Sequence, residues 1–246
     1  MVADGPGAKA RIAVLGTGRM GREVWALAGA RDDAEVVALV SRRASDWAAA
    51  TGRWQARLEA VDPAPDLLID FSLADATPAA AGWCAAQGVA LLSGVTGLDD
   101  EAMAALRRCG DTVPVLWAPN LSVGVNLLAE LVSRVASAVD TAAPVTIDDR
   151  HHRWKQDAPS GTALMLGRAV ASARGGNARD IEYRSRREGE VVGEHGVHFR
   201  LADEEIVLQH KAGDRRVFAR GALEAGLWLR RQPPRVYTAA EWLAAR

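Results

Sequence analysis

The segment Asp149-Arg150-His151-His152-Arg153-Trp154-Lys155-Gln156-Asp157-Ala158-Pro159-Ser160-Gly161-Thr162 holds the densest set of proton-carrying and anion-binding groups in this 246-residue chain. It contains two of the five histidines and one of the three lysines, Lys9, Lys155 and Lys211; the rest of the 30 basic residues are arginines. Histidine titrates near neutral pH and serves as a general acid. Lysine can be tuned to release its proton, whereas arginine cannot. Ser160-Gly161-Thr162 opens a helical pattern, and a helix start offers unpaired N–H groups to a carboxylate. Reducing an unsaturated or imine carbon takes one hydride and one proton, so this segment supplies the proton and a carboxylate dock. A structural role for the histidine pair stands beside that reading. On a strand, neighbours point to opposite faces, so at most one of His151 and His152 belongs to the chemistry. His195-Gly196-Val197-His198 adds two imidazoles, but they too fall on opposite faces, and no metal is expected.

The hydride has its own signature. Gly16-Thr17-Gly18-Arg19-Met20-Gly21 is a full G-x-G-x-x-G that follows an apolar run and opens a helical one, the context that gives the motif meaning. Gly16 permits a tight turn, Gly18 lets backbone approach a pyrophosphate, and Gly21 lets the helix pack close on the sheet. A strand–helix turn with purely structural glycines is the alternative. An NAD site places an acidic residue at the end of the second strand; here the chain reads Val40-Ser41-Arg42-Arg43. A hydroxyl and two guanidiniums suit a 2′-phosphate, so NADPH is the expected cofactor, with NADH possible and a solvated basic turn as the alternative. Gly94-Val95-Thr96-Gly97 and Ala118-Pro119-Asn120-Leu121-Ser122 also follow apolar runs. They face the nicotinamide side of the crevice or serve as turns alone, with Ser122 a candidate N-cap.

The elements that must position these groups follow from periodicity. Residues 11–16 (RIAVLG), 35–40 (EVVALV), 66–71 (DLLIDF), 89–93 (VALLS) and 113–117 (VPVLW) are short apolar strands. Helical patterns lie at 19–30, 74–87 and 98–108, with Gly88 and Gly110 as stops. That alternation predicts a parallel sheet covered on both faces, with ligands at the carboxyl ends of its strands. Residues 41–65, which include Trp47 and Trp54, predict one short helix and a loop. The longest helix spans 121–140, with a stripe through Leu121, Val125, Leu128, Val132, Val135 and Val139. A strand at 145–148 and a helix at 160–173 follow. The runs 181–187, 191–201 and 205–211 are longer and alternate apolar with polar, as a mixed or antiparallel sheet with one open side requires. Helices at 215–231 and 237–245 close the chain. The fold class is α/β: a doubly wound parallel sheet of Rossmann-like kind plus a smaller α+β domain with a mixed sheet.

Composition excludes other classes. Net charge is −1, without the basic excess of a nucleic-acid binder. No apolar run approaches the ~18 residues of a membrane span; the stretch 121–139 carries Glu130 and Arg134. The opening ten residues lack the apolar core of a signal peptide and read as irregular. Cys84 and Cys109, both in helical patterns, read as small buried apolar residues of a reducing compartment, so a cytoplasmic location is expected.

The chain resembles the 4-hydroxy-tetrahydrodipicolinate reductase (dihydrodipicolinate reductase) family of lysine and diaminopimelate biosynthesis. The motifs that carry the resemblance are GTGRMG at 16–21, IDFS at 69–72, GVTG at 94–97, APNLSVGVN at 118–126, HHRWKQDAPSGTA at 151–163, VGEHGVHF at 192–199 and HKAGDRRVFARGALEAGLWL at 210–229. The resemblance implies a dinucleotide-binding domain at 1–121 completed by 216–246, and a substrate-binding and oligomerisation domain at 122–215 that builds a homotetramer through its sheet. It implies that His151 is the general acid/base and Lys155 the proton donor. His152, with Ser160, Gly161 and Thr162 at the helix start, would hold the carboxylates of a small cyclic dicarboxylate substrate. Gly16–Gly21, Gly94, Val95, Thr96, Ala118, Pro119, Asn120 and Leu121 would contact NAD(P)H. The implied reaction expels the substrate's hydroxyl as water and reduces it to tetrahydrodipicolinate. Departures are GVTG for the usual GTTG, Asp149 for a Glu, Arg150 for a small residue, Gln156 for a Val, a shortened stretch between strands two and three, and Ser41 for an acidic residue. A related dehydrogenase of amino-acid semialdehydes or imino acids is one rival, which the 151–162 segment opposes. A cofactor-binding regulator without turnover is another, and the presence of His151 and Lys155 opposes it.

Overall fold

In the computed structural model, which describes residues 9–246, the apolar runs of the first half become strands of one parallel sheet. The order is β1 (Ala10–Leu15), α1 (Arg19–Gly29), β2 (Ala34–Val40), α2 (Asp46–Ala50), β3 (Trp54–Gln55), β4 (Leu67–Asp70), α3 (Thr77–Gln87), β5 (Ala90–Ser93), α4 (Asp100–Gly110) and β6 (Pro114–Trp117). Next come α5 (Val123–Ala138), β7 (Val145–His151), α6 (Gly161–Arg174), β8 (Glu182–Arg187), β9 (Gly193–Arg200) and β10 (Glu205–Ala212). The chain ends with α7 (Arg216–Leu229), β11 (Arg235–Tyr237) and α8 (Ala239–Ala244). Contacts divide it into two units, one formed by the chain up to Ser122 with Phe218–Arg246, the other by Val123–Val217. The expectations about the chain's opening fall largely on residues 1–8, outside the described residues. No helix of the described residues is long and apolar enough to cross a membrane.

The first unit holds a seven-stranded sheet in the order β11-β6-β5-β4-β1-β2-β3, parallel throughout. From β3 to β6 this is the doubly wound order, which opens a ligand crevice outside the carboxyl ends where the order reverses, between β1 and β4. β4 and β5 are buried along their whole length, as strands between two helical layers must be. On one face, Cys84 of α3 and Leu106 and Cys109 of α4 pack against Ala13, Leu68, Leu91 and Val115. Burial pushes the Cys109 thiol up to about 11 and that of Cys84 well above its usual value, so both stay protonated. α7 meets the sheet through Gly226, where a Cβ would stand 2.6 Å from Leu67 Cδ2.

Three details of the first unit differ from the periodicity. Residues 41–65 add the two-residue edge strand β3 and a 3-10 turn at Leu58–Ala60 to the short helix. The last helix is preceded by β11, which extends the sheet beside β6. Gly110 does not stop α4 but is its last residue, with Asp111 as the cap. The last two are linked: a Cβ on Gly110 would stand 2.7 Å from Val236 Cγ2 of β11. That glycine marks the approach of a three-residue strand too short to register as a pattern.

The second unit holds the mixed sheet β10-β9-β7-β8, antiparallel across β10/β9 and β9/β7 and parallel across β7/β8. α5 and α6 supply Leu128, Val132, Leu166 and Val170 to a core with Ile147, Val197 and Phe199. α5 begins at Val123 rather than 121, because Asn120 Oδ1 takes the Ser122 N–H in a turn. β7 runs to His151, three residues past the apolar run, because its polar end is paired on both sides with β8 and β9.

Candidate active site

The glycine turn sits at the carboxyl end of β1. Gly16 has φ +99°, and a Cβ there would lie 2.5 Å from the Phe71 carbonyl oxygen, so only glycine fits. A Cβ on Gly21 would lie 2.0 Å from the Gly16 oxygen, which holds the start of α1 against the turn. Gly18 is different: it is exposed, and a Cβ would meet nothing within 4 Å. It is the N-cap of α1, with no side-chain cap and no acidic residue in the first turn. Open space over uncapped helix-start N–H groups fits a pyrophosphate. Arg19 is exposed and Met20 half-buried beside it.

At the end of β2, Ser41 Oγ accepts hydrogen bonds from Thr17 Oγ1 (3.0 Å) and Trp54 Nε1 (3.2 Å) and donates to the Arg43 carbonyl (2.8 Å). Trp47 Nε1 donates to the Thr17 carbonyl. The two tryptophans of the expected loop thus tie the basic turn to the glycine turn. Arg42 is exposed and ion-paired at 3.2 Å with the exposed Asp75.

The other two loops stand at the ends of β5 and β6. Gly94 lies against the Phe71 ring, where a Cβ would be 2.3 Å from Cε1. Val95 is buried; its N–H donates to Ser93 Oγ and its carbonyl accepts Trp117 Nε1. Ala118, Asn120, Leu121 and Ser122 are buried, so Thr96 and Pro119 are the more accessible side chains of these loops. Asp70, within the IDFS motif, is buried; burial raises its pKa against the hydrogen bonds it accepts from the Ser72 N–H and hydroxyl.

In the second unit the polar end of β7 meets β8, β9 and the start of α6. Alternation puts Asp149 and His151 on the same face of β7, and register places His195 opposite Asp149. Asp149 is 1% exposed. Its Oδ2 accepts from the Ser160 N–H (2.8 Å), Ser185 Oγ (3.1 Å) and Arg187 Nη2 (2.9 Å). Its Oδ1 faces two imidazoles, His151 Nδ1 at 2.9 Å and His195 Nε2 at 3.5 Å. The His151 contact has hydrogen-bond length but lies off the line of a well-aligned bond. Burial alone would raise the Asp149 pKa; the donors from His151, His195, Ser160 and Arg187 outweigh it and hold the carboxyl far below the usual range. Burial pushes the His195 imidazole down, more than Asp149 draws it up. The His151 and His195 rings stand edge to face, 5.0 Å apart.

Ser160 caps α6, its Oγ accepting the Ala163 N–H and lying 3.3 Å from His195 Nε2. Exposed Gly161 and half-buried Thr162 form the first turn beyond it. Lys155 Nζ is 2.7 Å from Asp157 Oδ1 and 24% exposed. The half-buried His152 leaves the strand face and approaches the Trp154 ring, 5.8 Å between centroids. The structure therefore joins His151 and Ser160 directly through Asp149, with Lys155 and Gly161 on the same loop and helix start. The motifs brought Asp149 and His195 into view but gave them no role, and Arg187 and Ser185 passed unnoticed; the signal was the Asp149-x-His151 spacing. Asp149, His151 and His195 bring three ligand-type atoms within 4.8 Å of one another. The carboxylate is nevertheless committed to Arg187 and the Ser160 N–H, and a guanidinium 2.9 Å away opposes a cation. The cluster is a hydrogen-bonded charge network.

Comparison with known proteins bears on both units. Residues 10–121 match the family model "Dihydrodipicolinate reductase, N-terminus", and residues 124–243 match "Dihydrodipicolinate reductase, C-terminus". A 4-hydroxy-tetrahydrodipicolinate reductase of Alkalilimnicola ehrlichii is 38% identical over 92% of this chain and 96% of its own. One of Thiobacillus denitrificans is 36% identical at the same coverages. Among solved structures, a dipicolinate-bound dihydrodipicolinate reductase of Paenisporosarcina sp. TG-14 shares the fold, with TM-score 0.77 and 21% identity, covering 94% of this chain and 97% of that one. With both family models aligned end to end along it and relatives this similar over nearly its full length, the chain belongs to the dihydrodipicolinate reductase family.

Proposed function

We propose that this chain reduces 4-hydroxy-tetrahydrodipicolinate to tetrahydrodipicolinate, the family's step in lysine and diaminopimelate biosynthesis, using NADPH in preference to NADH. The observation that carries the reading is the Asp149–His151–His195 network set against the capped start of α6. In the net reaction the reduced nicotinamide supplies a hydride, the protein supplies a proton, and the substrate's hydroxyl leaves as water. His151 is the general acid/base, with the Asp149 carboxylate 2.9 Å from its Nδ1. Lys155, held at the site by Asp157, donates the proton. His152, Ser160 and the Gly161 and Thr162 amides bind the substrate's carboxylates, favoured by the positive end of the α6 dipole.

The residues up to 121, with 216–246, form the dinucleotide-binding part, and residues 122–215 the substrate-binding and oligomerisation part. Gly16, Thr17, Gly18, Arg19, Met20 and Gly21 hold the pyrophosphate, and Ser41 and Arg42 border the adenosine ribose. Gly94, Val95, Thr96, Ala118, Pro119, Asn120 and Leu121 line the nicotinamide end. The assembly is a homotetramer formed through the mixed sheet. Two buried free thiols suit a reducing compartment and support a cytoplasmic location.

A coupled assay tests the function. The upstream synthase is supplied with pyruvate and aspartate semialdehyde, and nicotinamide oxidation is followed by absorbance. Turnover with NADPH exceeding that with NADH is expected; no oxidation of either cofactor overturns the proposal. His151→Gln and Lys155→Ala are expected to lower kcat by at least about a hundredfold while leaving NADPH affinity within a few-fold, in line with the ~10²–10⁴ that a positioned acid contributes.

A further inference from the structure

We propose that Asp149 is the positioning residue of His151: it fixes the imidazole's tautomer and orientation through Nδ1 and keeps Nε2 as the nitrogen that exchanges protons with substrate. The inference rests on the reading of His151 as the acid/base. It is carried by the way the carboxylate divides its work. Oδ2 is pinned from three directions, by the Ser160 N–H at the start of α6, by Ser185 and by Arg187 of β8. Arg187 is itself anchored, donating to the carbonyls of Asp149, Arg186 and Asp157. With one oxygen so held, the other has a fixed place, 2.9 Å from His151 Nδ1. Nδ1 is fully buried. Nε2 lies at the opposite edge of the ring, beside Gly193 of β9, where a Cβ would come within 3.1 Å of it. Glycine at 193 leaves that nitrogen uncrowded.

A carboxylate that accepts one imidazole N–H puts the exchangeable proton on the other nitrogen and stabilises the imidazolium once it forms; in serine hydrolases, amidating such a carboxylate lowers turnover by orders of magnitude through the wrong tautomer. The groups around His151 agree with this role. His195 of β9 shares Oδ1 but is pushed toward its neutral form by burial, and His210 of β10, also shifted down by burial, lies behind it. Arg187 of β8 faces Oδ2, Lys155 is paired with Asp157, and the start of α6 contributes its positive dipole end at Ser160. Asp149 Oδ1, 2.9 Å from Nδ1, is therefore the acceptor placed to orient the imidazole.

The test is Asp149→Asn in the full-length enzyme, with Asp149→Glu as the conservative partner. Asp149→Asn is expected to keep its NADPH Kd within about threefold and its substrate KM within about fivefold. Its kcat falls at least a hundredfold. Asp149→Glu is expected to restore kcat to within about tenfold. Ring ¹⁵N spectra of histidine-labelled protein, with His151 assigned through His151→Gln, are expected to show the Nδ1–H tautomer in the wild type and its loss in Asp149→Asn. That measurement needs no turnover, so it reads the positioning role even if the coupled assay finds no reductase activity. A folded Asp149→Asn with kcat within threefold of wild type, or with an unchanged His151 tautomer, overturns the inference. If Asp149→Asn does not bind NADPH, the wild-type spectrum and Asp149→Glu decide alone. An Nε2–H tautomer in the wild type, or a folded Asp149→Glu whose kcat stays a hundredfold down, then overturns it.

Discussion

A 2′-phosphate is recognised by charge, and at the end of β2 only Arg42 and Arg43 carry it. Ser41 is already spent, accepting from Thr17 and Trp54 and donating to the Arg43 carbonyl, so it shapes the turn more than it reads the cofactor. Arg42 is held by Asp75 in an exposed pair. Such pairs contribute ~0–1 kcal/mol, less than the ~1.5–3 kcal/mol of a hydrogen bond to a charged phosphate, so a 2′-phosphate would draw the guanidinium from Asp75. Arg42→Ala is therefore expected to raise the KM for NADPH about tenfold or more and that for NADH less than threefold, measured in the coupled assay. Equal effects on both would remove Arg42 from cofactor choice. At this scale the sequence marks candidates where chemistry is written into neighbours: the glycine sextet, the basic turn, and His151 with Lys155 and Ser160. It was silent on Arg187 and Ser185, which join the site only through β8's register with β7, a pairing 36 and 38 residues apart that no local spacing encodes.

Among elements, the strands of the parallel sheet and the long helices were legible because two-sided burial and a 3.6-residue stripe leave strong patterns. β3 and β11, two and three residues long, leave none; they exist because a sheet edge was available to pair with. Glycines mislead for a related reason, since the same residue marks a stop, an accident or a close approach. Gly82 and Gly221 separate these cases. Gly82 is exposed in α3 and a Cβ there would meet nothing within 4 Å, so Gly82→Ala is expected to stabilise by ~0.5–1 kcal/mol through helix propensity. Gly221 is buried in α7, where a Cβ would lie 1.7 Å from the Leu121 carbonyl oxygen. Gly221→Ala gains the same ~1 kcal/mol of propensity but must push α7 away from backbone, and overpacking costs ~1–3 kcal/mol or more. A net loss of stability in urea unfolding is expected. A gain at Gly221 equal to that at Gly82 would mean α7 does not sit against Leu121 as described.

For the whole molecule, a net charge of −1 says nothing about acid sensitivity, because that sensitivity comes from which groups are buried. His195 and His210 are both pushed below the ordinary imidazole value of 6.5, burial being the larger cause in each. The unfolded chain binds their protons near pH 6.5 while the folded chain resists, so stability is lost as pH falls through that value. Asp149 acts in a lower window. Its folded pKa lies below that of the unfolded carboxylate, so its contribution is complete above about pH 4 and is lost only on further acidification. Two separate acid steps follow, and the first belongs to histidines. Tm is expected to be flat from pH 8 to 7 and to fall between pH 6.5 and 5, ahead of the Asp149 step. His195→Gln is expected to flatten that fall whatever it does to the Tm at pH 8, because the variant removes the proton uptake and not merely a contact. An unchanged acid slope in His195→Gln and His210→Gln combined would place the sensitivity elsewhere in the molecule.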